Sequence, residues 1–226
     1  MTPIPVAVLV SGGGTNLQAL LDALHDSPVA RIARVIASGA AAGALERARR
    51  AGVHTAVLAH PDDPSEVVTA TGDAQLVVLA GYLKRIPAAA VAQLRWRVIN
   101  IHPALLPAFG GPGMYGRRVH TAVLASGVAL SGATVHYVDE EYDRGPIIAQ
   151  WPVPVRSDDT PDTLAARVLE VEHRLLPQVV VELARLGVPE GPVRLSAKGS
   201  AFVTGDNLAV DLDTAADGRT GGRADR

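Results

Sequence analysis

Short apolar runs rich in β-branched residues recur along the first hundred positions, each followed by a polar turn and a stretch with helical spacing. Ile4–Val10 and segments 33–37, 55–58, 76–80 and 98–101 have the length and continuous apolarity of strands covered on both faces. Segments 16–25, 42–51 and 87–94 place alanine, leucine and arginine where a helix favours them. Strand and helix alternating in this way build βαβ units. The pattern therefore predicts an α/β protein with a Rossmann-like, open, mostly parallel twisted sheet and helices on both faces. In segment 60–72, Asp62-Asp63-Pro64-Ser65-Glu66 has the residues of a helix cap, with room for only a short helix behind it.

The texture changes after Pro103. Ala108-Phe109-Gly110-Gly111-Pro112-Gly113-Met114-Tyr115-Gly116 is too rich in glycine for regular structure and reads as a binding loop. A short helix is expected over 119–125, and strands over 131–138 and 147–155 flanking an acidic turn. The longest helix is expected over 160–186, opened by Asp158-Asp159-Thr160-Pro161, with a kink or break at Pro177. From Thr204 the chain is polar, aperiodic and rich in Gly, Asp and Arg, which gives a single domain over 1–203 and a flexible tail over 204–226.

Composition narrows the function classes. The 226 residues suffice for one domain with a substantial core, and a formal net charge of −2 argues against a nucleic-acid surface or an anionic membrane as partner. The sequence has no cysteine, which removes disulfides, thiolate metal sites and cysteine nucleophiles together. Met1-Thr2-Pro3-Ile4-Pro5 lacks the charged and apolar regions of a signal peptide, and no apolar stretch approaches the roughly 20 residues of a membrane span, so a cytoplasmic protein is expected.

Val98-Ile99-Asn100-Ile101-His102-Pro103 carries the strongest chemical signal. Side chains alternate along a strand, so Asn100 and His102 share one face at its end, where open α/β sheets place their ligands. An amide donor beside a titratable imidazole suits activation of a carbonyl.

Two other segments support a ligand site. Ser11-Gly12-Gly13-Gly14-Thr15-Asn16 follows the first strand and opens a helix, where free N–H groups and the helix dipole favour an anion. Leu17 stands where a dinucleotide fingerprint needs its third glycine, and there is no Gly-Lys-Ser/Thr for a Walker loop. The remaining choices are a phosphate site or a plain βα turn capped by Thr15 or Asn16. In the acidic turn after 138, Asp143 precedes Arg144-Gly145-Pro146, a turn that fixes its carboxylate; near His102 it would raise the imidazole pKa. The turn lacks the alternating ligands of a calcium loop. His102, His120, His136 and His173 include no i, i+4 pair for zinc, no metal is expected, and His136 reads as a structural histidine. Glu172 either faces inward toward ribose hydroxyls or makes a surface salt bridge near Arg174.

Together these segments resemble the phosphoribosylglycinamide formyltransferase family of purine synthesis. The resemblance runs from about Val6 to Leu186 and is carried by residues 8–18, by Asn100-Ile101-His102-Pro103-Ala104-Leu105-Leu106-Pro107, and by residues 131–150. The second of these is similar to the Asn-x-His-Pro-x-Leu-Leu-Pro signature of 10-formyltetrahydrofolate-dependent enzymes, with Ala104 where serine is commonest. The resemblance implies formyl transfer from 10-formyltetrahydrofolate, a co-substrate, to the amine of glycinamide ribonucleotide. It implies that Asn100 binds the formyl oxygen, that His102 is the catalytic acid, and that Asp143 raises its pKa with an ordered water beside them. Gly14, Thr15 and Asn16 would hold the ribonucleotide phosphate, and Glu172 its ribose or glycinamide end. Leu83, Lys84, Arg85 and Ile86 would line the folate pocket through their backbone, and the loop from Val138 and Asp139 to Asp143 would close over the pterin. Segment 60–72 is short and has no arginine for the folate's glutamate tail.

The expected partners are these two small molecules, with the chain a monomer or homodimer. A formyltetrahydrofolate hydrolase would use the same three residues behind an N-terminal regulatory domain, for which a first strand at Ile4 leaves no room. A methionyl-tRNA formyltransferase would need a C-terminal β-barrel and a basic face. A non-catalytic nucleotide-binding module would not need Asn100, His102 and Asp143 together.

Overall fold

β1 (Ile4–Val10) splits its side chains between two cores, and the rest of the fold follows from that division. Val6, Val8 and Val10 enter a cluster with Leu17, Leu20, Val168, Leu176 and Val180, while Ala7 and Leu9 enter a smaller one with Val67, Ile86, Ala90 and Val91. Alternation along one buried strand thus gives the sheet two covered faces. The computed structural model describes residues 2–195. The boundary expected at 203 and the tail after it lie outside the described residues.

In chain order the elements are β1, α1 (Thr15–Leu24), β2 (Ala30–Ala37), α2 (Ala44–Arg50), β3 (His54–Val57), α3 (Pro64–Thr71), β4 (Leu76–Leu79), α4 (Ala88–Gln93), β5 (Val98–His102), α5 (Arg117–Ser126), β6 (Leu130–Tyr137), β7 (Ile147–Pro154) and α6 (Pro161–Arg185). The seven strands form one sheet in the order β3-β2-β1-β4-β5-β6-β7. β1 through β5 pair in parallel, and β5–β6 and β6–β7 are antiparallel. The chain moves outward from β1 to β3, then returns to place β4 on the other side of β1. That reversal opens a crevice at the C-terminal ends of β1 and β4. Helices α1, α2, α5 and α6 cover the face of the larger core, and α3 and α4 the other.

Most elements fall within a residue or two of their expected bounds, the short helix of segment 60–72 among them, and β2 is the informative difference. β2 begins at Ala30, three residues before the apolar run, and its register against β1 shifts between Val6 and Ala7. Segment 60–72 holds a true helix, α3, whose N-cap Asp63 accepts from the Ser65 N–H at 2.9 Å.

Of the kink or break expected at Pro177, the break does not occur. α6 is one helix of 25 residues, opened by a Thr160–Thr163 capping box and continuous through Pro177. A mid-helix proline costs roughly 3 kcal/mol, whereas each buried aliphatic side chain gains about 1.5–3 kcal/mol. Leu164, Val168, Leu175, Leu176, Val179, Val180 and Leu183 are all buried. Tertiary burial outweighs the local penalty.

Candidate active site

Asn100 and His102 stand on β5 with Ile99 and Ile101 turned to the larger core between them, as alternation requires. They reach a cavity of about 500 Å³ at the crevice beside β1 and β4. Of the remaining expected site residues, Asn16, Leu83, Lys84, Arg85, Ile86, Val138, Asp139, Asp143 and Glu172 also line this cavity. Gly14 and Thr15 are not part of its wall; they lie on the turn that leads into Asn16.

His102 is buried and held at Nε2. Its Nε2 lies 2.9 Å from the Phe109 carbonyl oxygen, which makes Nε2–H the donor, and its Nδ1 faces Asp143 Oδ2 at 3.6 Å. Both partners have left-handed backbone, Phe109 at φ 57° and Asp143 at φ 55°. Such conformations cost about 1 kcal/mol or more outside glycine and cluster at functional sites. Gly110 joins them: a Cβ there would stand 2.5 Å from Leu106 Cδ2 and 3.0 Å from Asp143 Cβ. The glycine-rich loop is therefore a brace for the histidine, and the Gly111 N–H donates to Asp143 Oδ2 at 2.9 Å.

Asp143 raises the His102 pKa as expected, but the net shift is downward. Burial in the apolar cavity wall depresses the imidazole, and this outweighs the upward influence of Asp143 and of the Phe109 carbonyl. The net displacement of His102 is downward from its ordinary value of 6.5. For Asp143, burial pushes the carboxyl up, but the hydrogen bond from His136, the charge of His102 and the Gly111 N–H together hold it below 3.8. It is an anion placed to favour any proton that arrives on His102.

His136 proves structural and more. Its Nδ1 donates to the Tyr137 carbonyl at 2.8 Å, and its Nε2 lies 3.6 Å from Asp143 Oδ1 and 3.1 Å from Asn100 Nδ2. That contact orients the Asn100 amide, leaving its second N–H free for a ligand oxygen. Behind the site, Thr134 Oγ1 accepts from the Leu106 N–H at 3.1 Å and donates to the Ala104 carbonyl at 2.6 Å. Gln150 Nε2 donates to the Leu106 carbonyl at 2.8 Å, so the chain leaving His102 is fixed.

Glu172 faces inward, and the surface salt bridge is not what forms. α6 carries it into the cavity wall, where Asn16 Nδ2 donates to Oε2 at 2.6 Å. Burial pushes its carboxyl up to about 7, against the smaller downward influence of Asn16. Asn16 Oδ1 is buried and without a protein partner. At the turn itself the N-cap of α1 is Gly14, with no side-chain cap from Thr15 or Asn16.

Gly14 has a backbone φ of 75°, and a Cβ on it would stand 2.6 Å from Ala44 Cβ and 2.8 Å from Ala44 Cα, whereas Gly13 has open space. Gly14→Ala should destabilise the fold by about 2 kcal/mol or more, and Gly13→Ala by less than about 1 kcal/mol. Denaturant midpoints of the two variants check this; equal midpoints would remove the packing argument.

Sequence reasoning missed several cavity residues. Tyr82 is buried in the wall with an unpartnered hydroxyl, and burial followed by the Asp62 charge pushes that hydroxyl up to about 12. His120 contributes a buried imidazole from α5, depressed by burial and then by the His102 charge. Its place in the Val119–Val123 apolar stripe hid it. At the mouth, Arg85 donates to the Glu140 carbonyl and lies 5.7 Å from the Tyr142 ring centre, which links the 83–86 wall to the acidic loop.

Residues 4–180 match the model of the formyl transferase family. The chain is 45% identical over 185 residues to the chloroplastic phosphoribosylglycinamide formyltransferase of Arabidopsis thaliana, covering 77% of this chain and 63% of that relative. It is 37% identical over 184 residues to the phosphoribosylglycinamide formyltransferase of Haemophilus influenzae, covering 77% of this chain and 84% of that one. Among solved structures, the phosphoribosylglycinamide formyltransferase of Anaplasma phagocytophilum superposes with a TM-score of 0.75 at 37% identity, over 81% of this chain and 88% of that one. Among the described residues, no helix is long and apolar enough to cross a membrane.

Proposed function

The chain belongs to the formyl transferase family, and from that premise we propose that it transfers the formyl group of 10-formyltetrahydrofolate to the amine of glycinamide ribonucleotide, a cytoplasmic step of purine synthesis. One observation carries the reading. Asn100, His102 and Asp143 meet in the same cavity as Asn16 and Glu172, so a carbonyl-activating group and a polar acceptor subsite share one space. A cavity of about 500 Å³ suits ligands of this size, and Tyr82, Leu83, Ile86, Ile101 and Val138 give it the apolar wall a pterin ring requires. Leu83, Lys84, Arg85 and Ile86 form one side of the folate subsite, and Val138 and Asp139 the other. Glu172 accepts from ribose hydroxyls, and Gly14, Thr15 and Asn16 receive the phosphate.

The geometry supports one order of proton movements. The acceptor amine forms a bond to the formyl carbon, and the carbonyl oxygen becomes an oxyanion that takes the free N–H of Asn100. His102 Nε2–H is already given to Phe109, so Nδ1 is the nitrogen that can accept the proton shed by the amine. The Asp143 carboxylate stabilises the imidazolium so formed. The same proton then passes to N10 of the folate as the carbon–N10 bond breaks, which leaves His102 neutral again. The histidine is thus a base before it is an acid, and the protein supplies position and electrostatics.

A spectrophotometric assay with 10-formyltetrahydrofolate and glycinamide ribonucleotide tests the proposal. Cofactor turnover should require the ribonucleotide. Equal turnover without it would identify a hydrolase instead.

A further inference from the structure

α2 carries three arginines in its last turn, and one of them behaves differently from the others. Arg49 and Arg50 pair with Glu46 of the same helix, at 3.7 and 3.2 Å. Arg47 turns instead onto the glycine turn after β1, donating from Nε to the Gly13 carbonyl at 2.8 Å and from Nη1 to Gln18 Oε1 at 3.2 Å. Gln18 in turn donates from Nε2 to Asp22 at 2.8 Å, which aims its oxygen at the guanidinium. Among the described residues no carboxylate forms a salt bridge with Arg47.

α2 also takes the other carbonyl of the turn, since the Ala44 N–H donates to Gly12 O at 3.1 Å. In a trans peptide the N–H points opposite to the carbonyl it follows. With Gly12 O and Gly13 O both drawn toward α2, the N–H groups of Gly13 and Gly14 face away from it. Gly14 O accepts from the Gln18 N–H at 2.9 Å along the axis of α1, so the Thr15 N–H projects from the N-terminal end of that helix. The turn is left with donors on its open side, where Gly12 and Gly13 are exposed. Beside it, Asn16 is 8% exposed and, among the described residues, its buried Oδ1 has no partner, an acceptor that calls for a donor such as a ribose hydroxyl of the same ligand.

We propose that Arg47 is a positioning residue for the acceptor's phosphate: it ties back the Gly13 carbonyl so that the turn presents N–H donors, and it supplies the positive charge the turn otherwise lacks. This inference rests on the assignment of a phosphorylated acceptor to the cavity. It makes a specific demand, that loss of Arg47 be felt through the phosphate and nowhere else.

The test compares wild type, Arg47→Met and Arg47→Lys on glycinamide ribonucleotide and on the same acceptor without its phosphate. Arg47→Met should raise KM for the ribonucleotide about 10- to 100-fold, the range of a lost charge-assisted contact, with kcat and the folate KM unchanged. Arg47→Lys should recover part of the loss, because it restores charge without the fixed fork. Turnover of the phosphate-free acceptor should be the same in all three proteins. An unchanged ribonucleotide KM overturns the proposal, as does an equal loss on the phosphate-free acceptor, which would mark Arg47 as a structural staple only. If wild type fails to formylate the ribonucleotide, the assignment of substrate fails on its own. Inorganic phosphate then decides the role of Arg47: it should raise the Tm of wild type and not of Arg47→Met, and an equal rise in both overturns it.

Discussion

Replacing His102 with alanine should reduce kcat by about a thousandfold or more, with KM for both substrates changed only a few-fold. The imidazole has a nitrogen without a hydrogen bond that can take a proton, and an anion 3.6 Å away to stabilise it. The pH profile gives a sharper test than the loss itself. A base must be deprotonated to act, so kcat/KM falls as pH drops through its pKa in the free enzyme. Because burial holds His102 below 6.5, the acid limb of the kcat/KM profile should lie below that value. Asp143→Asn removes the influence that pulls the pKa up, so its acid limb should move to still lower pH while its maximal rate falls. An Asp143→Asn limb displaced upward, or a His102→Ala enzyme within tenfold of wild type, would defeat the mechanism. Circular dichroism separates both outcomes from misfolding.

That prediction differs from what the chain alone suggests, and the reason is physical. Alternation along β5 puts Asn100 and His102 on one face, and this needs only local covalent geometry. The order of strands, and with it the crevice between β1 and β4, follows from βαβ connectivity. The protonation state of His102 does not follow, because desolvation depends on everything packed around the ring. The Phe109 carbonyl and the Gly111 N–H come from one loop, and the His136 ring comes from β6, a separate segment of chain. Nothing in the sequence pairs them with their targets. Arg47 was hidden in another way: a helical arginine is by default a solvated charge, and only the glycine carbonyl beside it gives it a role.

Glu172 was legible and undervalued. Val168, Glu172 and Leu176 recur at intervals of four on α6, and their neighbours Leu164, Val179, Val180 and Leu183 complete a buried stripe. A carboxylate on that stripe is committed to the interior before any contact is known. The same helix that resists a proline at position 177 thus has enough apolar burial to carry an acid into the cavity wall.

That burial has a cost, and Glu172→Gln should expose it. The folded-state carboxyl titrates near 7, against an ordinary value of 4.5, so the unfolded chain loses this proton at lower pH than the native protein does. Native stability therefore declines as pH rises from 4.5 toward 7, and the full cost is present above that. At about 1.4 kcal/mol per unit of pKa, the displacement amounts to roughly 3 kcal/mol. Glutamine keeps the shape and an oxygen for Asn16 but has no proton to lose. The variant should gain stability over wild type by about 2 kcal/mol more at about pH 8 than at about pH 5.5, measured by denaturant unfolding. The same substitution should raise KM for the ribonucleotide about 10-fold or more, because a neutral amide accepts ribose hydroxyls more weakly than a carboxylate does. A stability difference that is constant across pH would mean that Glu172 is not titrating in the native protein. Stability gained together with lost acceptor affinity would identify the buried carboxylate as a residue kept for binding at the expense of the fold.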